Sequence, residues 1–282
     1  MSNSESIVVV TGASSGLGRA TASSLASMGY HVIAGVLNID EARAINESHI
    51  EPFVLDITKD ADIQHLAHRL ANDERHRPLR ALVNNAGIEF NAPFELLKVS
   101  EWRKQFDVNL FGQVSLTQAL LPALRASKGT IVNITSVGGK LAMANYSAYA
   151  ATKFAFEAMS DSLRREVKAQ GIKVVVVEPG GIQTKMAGYS GDLSLNFAKK
   201  MSPEYQKLYG DMVHGAVASQ SNFLKHAMTA EKAGAKVASV AVSNRPRTRY
   251  ALGSDAHMSI PMARWVPTRL LDWALAMSRR NA

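Results

Sequence analysis

The chain has 282 residues, 46% of them hydrophobic and 20% charged, which is enough apolar material for a sizeable core and argues against disorder. It contains no cysteine, so disulfide frameworks, thiolate metal sites and cysteine nucleophiles are excluded, and a reducing, cytoplasmic setting is the expectation. No apolar run reaches the roughly 18 residues of a membrane span. The polar first six residues lack the pattern of a secretory signal. Of the net charge of +8, +7 falls in the tail from Phe223 onward, where ten Lys and Arg face three acids.

In chain order, Ile7–Val10 is a β-branched run of the kind buried on both faces of a parallel sheet. A Gly-rich turn follows, then a helix from Arg19 to Met28 stopped by Gly29. His31–Val36 reads as a second strand, Ile39–Glu47 as a short helix and Phe53–Leu55 as a third strand. Lys59–Arg75 is a helix with Ile63, Leu66, Ala67 and Leu70 on its apolar side. Leu79–Val83 and Thr130–Thr135 supply further strands, with a long helical stretch from about Ser100 to Arg125 between them. Ser147–Gln170 is helical, and Lys173–Val177 is the most apolar strand. This alternation predicts an α/β fold, a doubly wound parallel sheet of Rossmann type with helices on both faces, carried by one domain over 1–282. The helix Val108–Leu124 has apolar residues on more than one face, so a second subunit, in a homodimer or homotetramer, or another part of the same chain should cover it.

Three patterns bear on chemistry. Thr11-Gly12-Ala13-Ser14-Ser15-Gly16-Leu17-Gly18 follows the first strand and opens a helix, where glycines let a diphosphate approach the backbone and the helix N-terminus offers free N–H groups. Its glycine spacing differs from the usual dinucleotide fingerprint, and alone it reads equally as a turn. Asn84-Asn85-Ala86-Gly87 follows the fourth strand. Tyr149 and Lys153 share a helical face, with Ser136 thirteen positions before the tyrosine at a strand end. A lone Tyr-xxx-Lys pair is commonly a surface pair.

Together with Asn109 and Pro179-Gly180, these motifs resemble the short-chain dehydrogenase/reductase family over roughly residues 5 to 255. The resemblance implies a nicotinamide-dependent alcohol/carbonyl oxidoreductase. Tyr149 would be the acid/base, Ser136 the partner of the substrate oxygen and Lys153 the holder of the nicotinamide ribose. Asn109 would hold a relay water. A free tyrosine, with a pKa of about 10, is a poor base near neutrality, and a neighbouring ammonium and an oxidised nicotinamide would lower it. Tyr146, Ser147 and Thr135 stand out of register and read as pocket wall or packing.

For the coenzyme, Gly12, Ser14, Ser15, Gly16, Leu17 and Gly18 match the diphosphate turn, and Asp56-Ile57 the adenine-contacting pair. Asn85, Ala86 and Gly87 match the adenosine side, and Pro179, Gly180, Ile182 and Thr184 the carboxamide segment, though Pro179-Gly180 also suits a plain turn. After the second strand stand Val36-Leu37-Asn38, neither the acid expected for NAD nor the base expected for NADP. Leu37 and Asn38 are taken as ribose-side contacts, and the reading leans to NAD unless Arg19 or Arg43 folds back.

Gln183 to Asn222 corresponds to the family's substrate lid. Met201, Tyr205, Leu208, Tyr209 and Met212 form one apolar helical face there, suited either to an adaptable lid or to ordinary core packing. The tail from Arg264 to Arg280, with Trp265, Leu270, Leu271, Trp273, Leu275 and Met277, resembles the C-terminal extension of steroid- and retinol-type members. Packing on the body or a neighbouring subunit is expected of it, with membrane-surface contact as the lesser alternative. The substrate expected is a lipophilic secondary alcohol or ketone. No nucleic-acid partner is expected, since no groove-reading motif accompanies the basic tail, and no metal is expected. A dinucleotide-binding sensor or scaffold without catalysis is the competing reading.

Overall fold

The structure, a computed structural model, describes residues 5–225 and 227–280. The first four residues of the polar leader fall outside that range, as do the side chains of Arg279 and Arg280 counted in the basic tail.

The first half runs β1 (Ile7–Val10), α1 (Gly16–Ser27), β2 (His31–Val36), α2 (Ile39–Arg43), β3 (Ile50–Val54), α3 (Asp60–Ala71) and β4 (Leu79–Asn84). The second half begins with α4 (Val99–Phe106), a π-helical segment (Asp107–Phe111), α5 (Gly112–Ser127), β5 (Thr130–Ile134), α6 (Ser147–Val167) and β6 (Lys173–Pro179). It continues with β7 (Ile182–Gln183), α7 (Lys185–Lys199), α8 (Pro203–Lys225), β8 (Met228–Thr229) and α9 (Ala230–Ala241). β9 (Arg249–Leu252), α10 (Ser254–Trp265) and α11 (Thr268–Arg280) close the chain.

Seven strands form one parallel sheet in the order β3-β2-β1-β4-β5-β6-β9. The order reverses between β1 and β4, and that switch point opens a crevice at the carboxyl ends of the strands. Alternation along β1 explains how both faces are covered: Val8 and Val10 pack into the cluster that includes Ala22 and Leu25 of α1 and Ala233 and Val237 of α9. Ile7 and Val9 enter the opposite cluster with Ile63 and Leu66 of α3 and Leu116, Leu120 and Leu124 of α5. The expected doubly wound architecture is therefore present. The long stretch read as one helix is divided by the π-helical segment, and α2 ends four residues earlier than expected.

The helix α9 lies against α1 at a distance only small residues permit. A Cβ on Gly234 would meet backbone carbon of Ala20 at 2.5 Å and the Thr21 nitrogen at 2.7 Å, so neither neighbour could yield by rotating a side chain. Gly234→Ala is expected to cost about 1–3 kcal/mol and to lower the melting temperature by several degrees in a thermal scan; an unchanged midpoint would show that the two helices are not held this closely.

Candidate active site

The crevice at the switch point contains a cavity of about 690 Å³. One end is built by the glycine turn. Gly12 and Gly16 adopt positive φ values of 62° and 55°, and a Cβ on Gly12 would stand 2.9 Å from the Ala86 Cα. Thr11 locks the turn to the neighbouring loop: its Oγ1 accepts from the Asn85 and Ala86 N–H groups, each at 2.9 Å. The Asn85 carboxamide donates to the Thr11 carbonyl at 2.8 Å. Ser15, at the N-cap of α1, makes no side-chain capping bond and no acid stands in the first turn, which leaves the helix's leading N–H groups suited to an anion. Asn84 plays a different part. It is buried, and its Nδ2 bridges Thr117 at 3.0 Å and Asn133 at 2.9 Å.

Ser136, Tyr149 and Lys153 converge at the opposite end and line the same cavity. The Ser136 Oγ accepts from the Gly138 N–H at 3.0 Å, which leaves its own hydroxyl proton free to point elsewhere, and it is within hydrogen-bonding reach of the Tyr149 phenol. The Lys153 Nζ donates to the Ile134 carbonyl at 3.1 Å and stands 5.7 Å from the centre of the Tyr149 ring. Burial pushes the Tyr149 phenol above its ordinary value, the Glu89 carboxyl raises it further, and the bond from Ser136 opposes both. Burial lowers the Lys153 ammonium to about 8, with Glu89 and Glu157 counteracting. In the protein by itself, then, the lysine expected to acidify the phenol is outweighed by desolvation.

Two expected residues do not line the cavity. Asn109 sits on the π-helical segment. Its Nδ2 donates to the Ile88 carbonyl at 2.8 Å and to Thr152 Oγ1 at 3.1 Å, while its Oδ1 accepts from the Ile88 N–H at 2.8 Å. The side chain thus ties the loop after β4 to α6. Asn38 is the N-cap of α2, its Oδ1 taken by the Glu41 N–H at 2.9 Å. In return the Glu41 carboxylate accepts from the Leu37 N–H at 3.0 Å, and Glu41 lines the cavity beside Leu37. Local capping chemistry therefore engages the Asn38 side chain, and the carboxylate of Glu41 lines the cavity there. The remaining expected coenzyme residues, Ser14, Leu17, Gly18, Asp56, Ile57, Gly87, Pro179, Gly180, Ile182 and Thr184, all line the cavity.

Four acids that line the cavity were not anticipated: Glu41, Glu89 (one residue beyond the Asn84–Gly87 loop and its Ile88), Asp255 and Asp272. A fifth, Glu157, lies one turn past Lys153 on the same face of α6 and does not line the cavity. Glu157 accepts from Thr135 at 2.7 Å, Lys140 at 2.8 Å and Arg249 at 3.0 Å, which anchors α6 to the end of the sheet. The period already present in Tyr149 and Lys153 was a signal for it. The Met201–Met212 stripe faces away from the cavity: Met201, Tyr205, Tyr209 and Met212 pack with Leu96, Phe197 and Ala198, and Leu208 is exposed. The cavity is bounded instead by Ala216, Gln220, Phe223 and Leu224 of α8, and by Asp272 and Leu275 of α11.

Residues 6–192 match the family model described as short chain dehydrogenase. The chain belongs to the short chain dehydrogenase family. It is 35% identical over 287 residues to estradiol 17-beta-dehydrogenase 2 of Mus musculus, covering 95% of this chain and 73% of that protein. It is 32% identical over 274 residues to human retinol dehydrogenase 16, covering 94% and 86%. A short-chain dehydrogenase from Streptomyces avermitilis superposes with a TM-score of 0.76 at 30% identity, covering 98% of each chain. As a member of this family the protein is an NAD(P)-dependent dehydrogenase/reductase acting on alcohol and carbonyl groups. Among the described residues no helix is long and apolar enough to cross a membrane.

Proposed function

We propose that this short chain dehydrogenase interconverts a lipophilic secondary alcohol and its ketone with NAD, and that Tyr149 is the proton donor and acceptor. The observation that carries the reading is the convergence of Ser136, Tyr149 and Lys153 on one end of a cavity whose other end is the glycine turn and the uncapped start of α1. Around the space left for substrate stand Leu141, Ala142, Met143, Phe223 and Leu224, an apolar surrounding that fits the relatives named for estradiol and retinol. Bound nicotinamide would take up or deliver hydride at the substrate carbon.

The chain's own residues do the rest. Ser136, held as an acceptor by Gly138, turns its hydroxyl proton to the substrate oxygen and stabilises charge developing there. Tyr149 gives its phenolic proton to that oxygen in reduction and withdraws it in oxidation. Lys153, with one donor spent on Ile134, has donors left for ribose hydroxyls and places positive charge beside the phenol. Asn109 positions α6 through Thr152 rather than touching substrate. The helices α7 and α8 serve as the lid, with α8 forming the cavity's roof.

The preference for NAD rests on Glu41. A carboxylate can accept from ribose hydroxyls and repels a 2′-phosphate. Of the two arginines that could neutralise it, Arg19 donates to Glu47 at 2.7 Å, while Arg43 is largely exposed and only 3.6 Å from Asp40.

Tyr149→Phe is expected to lower kcat by about a thousandfold while the affinity for NADH, followed by its fluorescence, stays within about threefold; retained turnover would remove Tyr149 from the role. In side-by-side titrations the protein is expected to bind NAD at least about tenfold more tightly than NADP, and Glu41→Arg to narrow or invert that ratio. A preference for NADP in the unaltered protein would refute the assignment of Glu41.

A further inference from the structure

The proposed reaction leaves Glu89 without a task. This residue lines the cavity together with Tyr146 and Tyr149. Its carboxyl accepts from the Asn91 Nδ2 at 2.5 Å and from Ser190 of α7. Gln220 of α8 in turn donates to the Ser190 hydroxyl at 3.3 Å, so Glu89 is held in place from the loop after β4 and from both lid helices. No ion pair among the described residues engages it. Beside it, Asn91 is buried and its Oδ1 has no hydrogen-bond partner. Burial raises the Glu89 carboxyl above the usual carboxylate range, with the bonds from Asn91 and Ser190 and the charge of Lys153 working against that rise.

Glu89 is partly exposed to the cavity, and a simple hydrocarbon alcohol bound there would take water from its carboxyl without replacing the hydrogen bonds lost. A carboxylate has more lone-pair sites than the two donors fill. We propose that Glu89 is a specificity-determining residue, and that the preferred substrate is an apolar alcohol or ketone carrying a second hydrogen-bond donor, a hydroxyl or an ammonium, on a carbon close to the reacting one. The proposal rests on the alcohol/ketone reading above and deepens it. Tyr149 and Ser136 engage the reacting oxygen, and Glu89, which lines the same cavity and acts electrostatically on Tyr149, engages the second group. For a substrate ammonium, the Glu89 carboxylate would offset the repulsion that its charge would otherwise meet from Lys153.

The test uses indanol and its two analogues bearing an amine or a hydroxyl on the adjacent carbon, each titrated calorimetrically into protein saturated with NADH, where oxidation cannot proceed. At least one donor-bearing compound is expected to bind at least about tenfold more tightly than indanol itself. In Glu89→Leu that advantage is expected to vanish while indanol binds more tightly than before. Glu89→Gln, which keeps the size and hydrogen-bonding capacity, should retain part of the hydroxyl advantage and lose that of the ammonium. NADH affinity, measured first on each variant, reports whether it has folded. Equal binding of all three compounds to the unaltered protein, including no binding of any, overturns the proposal, as does an advantage that survives Glu89→Leu. Turnover of the same compounds with NAD by the unaltered protein separates the two claims: turnover without a Glu89-dependent difference sinks this proposal alone, whereas a binding difference without turnover of any of them sinks the alcohol/ketone reading.

Discussion

The Tyr149 phenol is partly buried where it lines the cavity, and a phenolate formed there would lose part of its hydration. Ser136 supplies one hydrogen bond, but burial and the nearby Glu89 carboxyl both favour the neutral phenol. Each unit by which the pKa rises corresponds to about 1.4 kcal/mol favouring the protonated form. The phenol is therefore favoured in its neutral form in the protein alone, which suits the proton-donating role proposed for it. Taking a proton from an alcohol requires positive charge brought close, and in the proposed reaction that charge is the sum of Lys153 and an oxidised nicotinamide. Lys153 is itself weakened by burial, to about 8, and Glu157 and Glu89 keep it cationic at neutral pH.

The fold's contribution is to bring these groups together from distant parts of the chain and keep them there. Ser136 leaves the end of β5, Tyr149 and Lys153 share one face of α6, and Glu89 follows β4, three neighbouring elements at the carboxyl edge of the sheet. The α6 helix is fixed at two levels. Asn109 grips it through Thr152, and Glu157 joins it to Lys140 and to Arg249 of β9. Both connections are buried or nearly so, where an interaction left half-made costs more than in water. Where Glu41 lines the cavity, the bonds from the Glu41 N–H to Asn38 and from the Leu37 N–H to the Glu41 carboxylate stiffen the turn after β2.

Much of this was legible in the amino-acid order. Strands buried on both faces announce themselves as β-branched runs, as in Ile7–Val10 and Lys173–Val177, and turns that need left-handed backbone are marked by glycine, as at Gly12. What escaped was low in contrast or decided by partners. The α9 helix buries Ala233, Gly234, Val237, Ala238 and Ala241, a stripe made mostly of small residues that stands out only once α1 is seen to lie upon it. The α10 helix contains Pro261, which disguises it as a break. The capping of α2 by Asn38 was not anticipated, because spacing along a strand says nothing about a competing helix cap. Asn109 appeared in its motif, but the direction of its carboxamide depends on the π-helical segment, which no periodicity revealed. The apolar stripe of α8 was real, and the surface it meets could not be inferred from its own period: it closes on Leu96 and Phe197 rather than on substrate.

The most direct test of the account is the ionisation of Tyr149 itself, followed as the ultraviolet difference between the protein and its Tyr149→Phe variant, with and without saturating NAD. The protein alone is expected to ionise this residue at a pH well above the ordinary tyrosine value, and bound NAD to lower that ionisation. An ionisation near the ordinary tyrosine value in both states, or one that NAD leaves unmoved, would contradict the claim that burial holds the proton and coenzyme charge releases it.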